Sequence, residues 1–289
     1  MSAALTISAG LKKTHVLERY SDSARLDVEV LLAAALQKDR SYLYTWPEKQ
    51  LTPTQSNTFV DFLQRREQGE PIAYIVGAKE FWSLSLMVNE STLIPRPETE
   101  TLVETALALF TEDDALCQRR VIDLGTGTGA IALALASEKS HWDIIALDNS
   151  QAACDLAEKN RQYHQLNNVK VIYSHWLQAI AAPLKGPLVD MIVTNPPYID
   201  QNDPHLSQGD VRFEPHSALT AANHGLADIE MIATQSVKQL LPNGWLLIEH
   251  GYQQADAVKK ILSENDFQQC STLRDMAGHP RLTIGQLSA

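Results

Sequence analysis

Three runs of residues in this 289-residue chain combine side chains and backbone freedom in ways that chemistry can use. The first is Asp123-Leu124-Gly125-Thr126-Gly127-Thr128-Gly129. Glycines without a Cβ let the backbone approach a ligand closely and take up positive φ angles. Gly125-x-Gly127-x-x-Ala130 also satisfies the dinucleotide fingerprint, so the spacing by itself leaves a nicotinamide or flavin enzyme in play. The second is Asp148, closing the run Asp-Ile-Ile-Ala-Leu-Asp 19 residues after Gly129. An acid there can accept hydrogen bonds from both ribose hydroxyls of an adenosine, which suits S-adenosyl-L-methionine and NAD equally and argues against NADP. Helix capping by the neighbouring Asn149 or Ser150 is compatible with that reading.

The third run, Asn195-Pro196-Pro197-Tyr198, separates these possibilities. Proline fixes the backbone and has no N–H of its own, leaving carbonyl groups free to face a site. Asn195 offers a side-chain carbonyl acceptor and Tyr198 an aromatic face for a planar group. Such an arrangement suits an amino group conjugated to a carbonyl or a ring. The nitrogen lone pair of that group is delocalised. Accepting both its N–H hydrogens, on Asn195 Oδ1 and the Pro196 carbonyl, would aim the nitrogen at an electrophile and favour electron density on it. Nicotinamide chemistry has no use for this element.

The surrounding sequence must supply strands and helices that hold these runs. From residue 119 onward, strand and helix patterns alternate. Strands are expected at Val121–Leu124, Ile144–Leu147, Val169–Tyr173, Leu188–Thr194 and Trp245–Glu249. Helices are expected from Ala130 to about Ser137, Gln151 to about His164, Ile229–Leu241 and Gln253–Ser263, with two β-prone runs near 267–273 and 281–285. Repeated βα units imply a doubly wound parallel sheet whose ligands bind beyond the carboxyl ends of the strands. Each chemistry-bearing run directly follows such a strand. Residues 1–71 instead read as a small helical bundle. Leu26, Val30, Ala33 and Ala34 form the expected stripe of a helix over Ala24–Leu36, and Thr52-Pro53 a cap and first turn. Residues 72–95 read as a β-hairpin linker built from Ile72–Val76 and the alternating Leu84, Leu86 and Val88. The three chemistry-bearing runs then fall within 96–289.

Composition narrows the classes further. Lys and Arg number 24 against 35 Asp and Glu, a formal charge of −11. Nine basic and nine acidic residues balance within residues 1–75, so the whole excess lies beyond them. Phosphate contacts need Lys and Arg, so direct nucleic-acid binding is not expected. The acidic surface serves solubility or favours a basic partner. Cys117, Cys154 and Cys270 are odd in number and widely spaced, which points to reduced thiols and no zinc site. With no apolar run of about 18 residues and no secretory-signal pattern, the reading is a cytoplasmic monomer without membrane contact.

Asp-Leu-Gly-Thr-Gly-Thr-Gly, the strand-ending acid and Asn-Pro-Pro-Tyr together resemble class I S-adenosylmethionine-dependent methyltransferases that act on planar amino groups. More closely, Leu93–Glu100 (LIPRPETE), Asp210–Pro215 (DVRFEP) and Arg274–Gly285 (RDMAGHPRLTIG) resemble the HemK family, over nearly the whole chain. That resemblance implies a Rossmann-like methyltransferase sheet preceded by a helical substrate-recognition domain. It implies methylation of the glutamine side-chain nitrogen in the Gly-Gly-Gln loop of class-one peptide chain release factors. It maps cofactor contacts onto Gly125, Thr126, Gly127, Thr128, Gly129, Asp148, Trp176 and Asn195, and a substrate clamp onto Asn195, Pro196, Pro197 and Tyr198. The family often has an acid where this chain has His175, which reads here as a surface or edge histidine. A nucleic-acid amino-methyltransferase shares the clamp but needs a basic groove and a target-reading domain. A cofactor-sensing translation factor without catalysis is the third reading.

Other features leave two readings each. The stretch from Ile199 to Gly225 is long for a βα connection and reads as a functional loop over the site. Arg212 and Glu214 could contact a protein substrate or pair with each other. Phe81-Trp82 could cover the cofactor or form hairpin core. No side chain is an evident general base.

Overall fold

The computed structural model describes residues 5–110, 117–180 and 188–289. The chain divides into two compact units, Met1–Ala78 with His205–Phe213, and Lys79–Pro204 with Glu214–Ala289.

The first unit is helical: α1 (Ile7–Leu11), α2 (Ala24–Leu36), α3 (Arg40–Thr45), α4 (Pro53–Glu67) and α5 (Ile72–Val76). Thr52 and Gln55 close a reciprocal capping box on α4, with Pro53 at its first position. Helix α2 spans the expected residues but turns a different face inward. Val28, Leu31, Leu32 and Ala35 are buried around Phe59 and Leu63, whereas Leu26 is 44% exposed. The cause is a pair of buried acids. Asp27 accepts from Arg66 Nε at 2.9 Å, and Glu29 accepts from Arg40 Nη2 at 2.6 Å, so both carboxylates sit in the interior. Ile72–Val76, read above as β-prone, is the helix α5. Burial of Ile75 in the helical core and a left-handed Gly77 that ends the turn outweigh its β-branched composition. His205–Phe213 joins this unit through Arg66 Nη1 donating to Asp210 at 3.0 Å and Arg212 Nη2 donating to the Gln68 carbonyl at 3.1 Å.

The second unit begins with the hairpin β1 (Ala78–Phe81) and β2 (Leu84–Met87), which contributes Phe81 and Leu86 to its core. There follow α6 (Glu100–Ala108), β3 (Arg120–Leu124), α7 (Ala130–Glu138), β4 (Asp143–Asp148), α8 (Gln151–Tyr163), β5 (Val169–Tyr173) and β6 (Val189–Thr194). The long connection carries β7 (Ile199–Asp200), β8 (Thr220–Ala221) and the single turn α9 (Ala222–Gly225). The chain closes with α10 (Ala227–Ser236), β9 (Leu240–Glu249), α11 (Ala255–Glu264), β10 (Phe267–Arg274) and β11 (Pro280–Leu287). The main sheet has the order β10-β11-β9-β6-β3-β4-β5. Strands β9, β6, β3, β4 and β5 are parallel neighbours, and β11 runs antiparallel to both β9 and β10.

Successive strand residues alternate between two apolar layers. Val121, Ile144 and Val193 face α6 and α7, while Ile122, Ile192 and Ile248 face α10 and α11. Burial on both faces explains why these strands read as continuous apolar runs. The boundary between α10 and β9 differs most from the sequence reading. Helix α10 ends at Ser236, and β9 starts at Leu240, five residues before Trp245. Pro242 cannot continue a helix, and buried Leu240 pairs with Val189 across a bulge. The chain leaves β3 towards β4 on one side and returns through β6 on the other. That reversal opens a crevice at the carboxyl ends of β3, β4 and β6.

Candidate active site

At the end of β3 the chain enters the glycine loop, which is held from beneath. Thr126 N donates to the Leu147 carbonyl at 2.9 Å, and Thr126 Oγ1 donates to Asp123 Oδ2 at 2.6 Å. Gly127 has φ +56°, a left-handed backbone that glycine adopts without strain, and its N–H donates to Asp148 Oδ2 at 2.9 Å. A Cβ on Gly125 would sit 3.5 Å from the Trp176 ring, so the indole lies against the bare backbone of the loop. Asn160, wholly buried on α8, ties the loop to the hairpin. Its Nδ2 donates to the Thr128 and Met87 carbonyls at 2.9 and 3.0 Å, and its Oδ1 accepts from Met87 N at 2.7 Å. In a helix, Asn160 reads from sequence as one more surface amide.

Two carboxyl groups sit under and beside this loop. Asp123 is fully buried, and burial pushes its pKa up to about 7, against hydrogen bonds from Thr126 and Ala132 and with the nearby Asp148 adding to the rise. Burial also raises the pKa of Asp148, while the N–H groups of Gly127, Ser150 and Asn149 pull it down. Helix capping falls to Ser150, whose Oγ accepts from Ala153 N at 3.3 Å.

After β5, Ser174 shapes the turn that delivers Trp176, donating to the Trp176 carbonyl at 2.6 Å and accepting from Ala179 N at 3.0 Å. Trp176 is buried with φ +45°. His175 is exposed yet lines the same cavity, and so does Asp228 on α10. Burial raises the pKa of Asp228, with Trp176 and His175 opposing.

After β6, Thr194 anchors the last strand residue to the Leu124 carbonyl at 2.8 Å. Asn195 Nδ2 donates to Thr99 Oγ1 at 3.2 Å, leaving Oδ1 on the other side of the amide. Tyr198 is half-buried and packs with Leu226 against the layer of α10 and α11. Burial pushes its phenol pKa up, and the charge of Glu249 adds to the rise. Gln254 Nε2 donates to the Tyr198 carbonyl at 3.0 Å and so braces the end of the turn.

One cavity of the second unit is therefore lined by Gly125, Thr126, Gly127 and Thr128, by Asp148 and Trp176, and by Asn195 and Pro197. Gly129 precedes α7 as its N-terminal cap, Pro196 is buried and Tyr198 packs into the apolar layer, so these three stand outside the lining. Asp228 lines the cavity although no motif marked it, and so do Thr99, from the LIPRPETE run, and Phe81, one of the two aromatics read as cofactor cover or hairpin core. Phe81 is 1% exposed and belongs to the core as well. Trp82 packs against that core and donates Nε1 to Glu138 at 2.8 Å. Arg212 and Glu214 do not pair with each other: Arg212 reaches Gln68, and Glu214 accepts from Arg96 Nη2 at 2.6 Å. The long connection contributes Ser217 and Ala218 to the cavity. Cys117, Cys154 and Cys270 are free thiols. Among the described residues no group of three or more His, Cys, Asp or Glu could hold a metal ion, and no helix is long and apolar enough to cross a membrane.

Comparison with known proteins adds a lineage to this geometry. Residues 14–77 match the PrmC N-terminal domain, and residues 100–211 match the methyltransferase small domain. The release factor glutamine methyltransferase of Pseudomonas aeruginosa is 54% identical over 267 residues, covering 92% of this chain and 94% of that protein. The Shewanella oneidensis protein of the same name is 52% identical, covering 92% and 90% respectively. That of Escherichia coli is 47% identical, covering 92% and 93%. Among solved structures, a methyltransferase from Pyrococcus furiosus superposes with a TM-score of 0.53 at 15% identity, covering 79% of this chain and 99% of that one. The human methyltransferase 10 domain containing protein gives 0.53 at 19% identity, covering 72% and 89%. These two likenesses establish a shared class I methyltransferase fold and nothing finer.

Proposed function

The chain belongs to the release factor glutamine methyltransferase family, and from that premise we propose how its own residues carry out the reaction. It transfers a methyl group from S-adenosyl-L-methionine to the side-chain amide nitrogen, N5, of the glutamine in the Gly-Gly-Gln motif of class-one peptide chain release factors. Translation termination is the process this modification tunes. The observation that carries the reading is one cavity lined both by the glycine loop with Asp148 and by the Asn195 amide.

The residues fit the cofactor. Gly125 and Gly127 form a cradle that side chains would fill, and Asp148 supplies oxygens for ribose hydroxyls. Trp176, with His175 and Asp228 beside it, offers a flat face and polar edge for adenine. When bound, the cofactor supplies a methyl group on a sulfonium sulfur, which transfer leaves as a neutral sulfide. The rest of the catalysis is positional. Asn195 Oδ1 and the Pro196 carbonyl accept the two N–H hydrogens of the glutamine amide, hold its nitrogen in line with the methyl group and strengthen it as a nucleophile. The displaced proton passes from nitrogen to water. The helical unit recognises the protein substrate, and it exposes Tyr20, Tyr44 and Trp46, aromatic side chains that protein interfaces favour.

Tritiated S-adenosyl-L-methionine offered with release factor, with duplex DNA or with neither tests the substrate class. Label in the release factor alone is the expected result. Label in DNA and not in the release factor would identify a nucleic-acid methyltransferase.

A further inference from the structure

Beside Asn195 lies a buried acid that the clamp leaves without a role. Strands β6 and β9 run parallel with Thr194 opposite Ile248, so Asn195 and Glu249 leave the sheet side by side. Glu249 is 3% exposed, and among the described residues its Oε2 meets no hydrogen-bond partner. Thr99 and Asn195 lie near its carboxyl group and favour its charged form. Thr99, itself 4% exposed, accepts from Asn195 Nδ2 and lines the cavity. The acceptor for the Asn195 amino group is thus Thr99 Oγ1, on the protein side where the Glu249 carboxyl group also lies. An amide whose nitrogen is held there must present its oxygen the other way, towards the cavity.

We propose that Glu249 is a positioning residue for methyl transfer: with Thr99 it holds the Asn195 amide so that Oδ1 accepts the substrate N–H, and protonation of Glu249 releases that hold. The proposal rests on the glutamine methyltransferase reading and deepens it. A protonated carboxyl carries an O–H donor and loses its strength as an acceptor. It then competes for Asn195 Oδ1 instead of anchoring Nδ2, and the clamp loses its oxygen.

The surroundings put this change within a working pH range. Burial pushes the Glu249 carboxyl up to about 7; Thr99, Arg281 and Asn195 pull it down, and Glu98 pushes it up. Tyr198 is the other titratable group coupled to it, with its phenol neutral. His250 is turned away, its Nε2 2.8 Å from Thr283 Oγ1 and its Nδ1 2.9 Å from the Gly251 carbonyl. Burial lowers its pKa, which keeps the imidazole neutral. The clamp is therefore set at alkaline pH and lost as pH falls through the Glu249 transition.

Methylation of intact release factor by the full-length enzyme, followed from about pH 5.5 to 8.5 at saturating cofactor, tests the idea. Wild type should be about tenfold slower at one pH unit below the transition than on the plateau. Glu249→Gln cannot titrate and, like the protonated acid, carries a donor beside a neutral acceptor, so its profile should lack that acidic limb and stay near the slow, low-pH level. Asp123 also titrates near 7 but is present in both proteins, so the comparison isolates Glu249. Independently of activity, the Asn195 side-chain amide resonances should titrate near pH 7 in wild type and not in Glu249→Gln. An unchanged acidic limb in Glu249→Gln, or Asn195 resonances indifferent to pH, would overturn the proposal. Absence of release factor methylation by wild type at every pH would instead sink the function on which it rests.

Discussion

Each oxygen of Asp148 already accepts a backbone N–H, Oδ2 from Gly127 and Oδ1 from Ser150, both at 2.9 Å. Each oxygen retains capacity for a ribose hydroxyl, so in the proposed reading one carboxylate serves loop and cofactor together. Hydrogen bonds to a charged group contribute about 1.5–3 kcal/mol each, so Asp148→Ala should raise the cofactor dissociation constant by roughly 100-fold. Calorimetry measures it, and an unchanged constant would refute the ribose assignment. Asp123 has a different consequence. Its folded pKa of about 7 lies above the usual carboxylate value of 3.8. The folded state therefore holds a proton that the unfolded chain releases, and this contribution is full below about pH 4 and lost as pH rises to about 7. Unfolding free energy from denaturant titration should fall between about pH 4 and 7, by up to about 4 kcal/mol from this group. Asp123→Asn should flatten that slope, leaving the part due to Glu249, which has the same sign. A slope unaltered by the substitution would contradict the assignment. The residues legible in sequence are those whose type alone implies chemistry: glycines in series, a strand-ending acid, asparagine before two prolines. Thr99, Asn160 and Glu249 were not legible, because ordinary polar residues become site residues only through partners distant in sequence.

The turn after β6 is held by an element nearly 60 residues further on. Gln254, just before α11, donates to the carbonyls of Tyr198 and His224 at 3.0 and 3.1 Å and accepts from Gly251 N at 2.8 Å. Gly225, with φ +83°, passes so close that a Cβ would lie 2.0 Å from the Tyr198 carbonyl oxygen. Backbone cannot yield as a flexible side chain would. Gly225→Ala should therefore displace the Asn195–Tyr198 turn, lowering turnover by about tenfold or more and thermal stability by roughly 2 kcal/mol or more, since positive φ adds its own cost. Wild-type turnover and melting temperature in that variant would show that the turn does not depend on this packing. Element positions were largely readable, as at β5, where the expected and observed residues coincide as Val169–Tyr173. What failed was phase and boundary. The inward face of α2 is set by ion pairs from Arg66 and Arg40, and α5 by burial of Ile75, neither of which periodicity records.

For the molecule as a whole, the charge of −11 lies beyond residue 75, in the part bearing the glycine loop and the clamp. Phosphate contacts need Lys and Arg, so this charge supports a protein amide over a nucleic-acid base as the proposed target. The fold class followed from alternating βα units, whereas the assignment of His205–Phe213 to the helical unit did not, since it depends on Asp210 and Arg212 finding partners more than a hundred residues earlier. The most direct test of the central claim combines site and substrate. Release factor is incubated with the cofactor and either wild-type enzyme or Asn195→Ala, and the modified peptide is sequenced by mass spectrometry. Wild type should place one methyl group on the glutamine amide of Gly-Gly-Gln. Asn195→Ala should lose that product by about 100-fold or more while retaining much of its cofactor affinity. A methyl group elsewhere, or near-normal turnover by Asn195→Ala, would contradict the account.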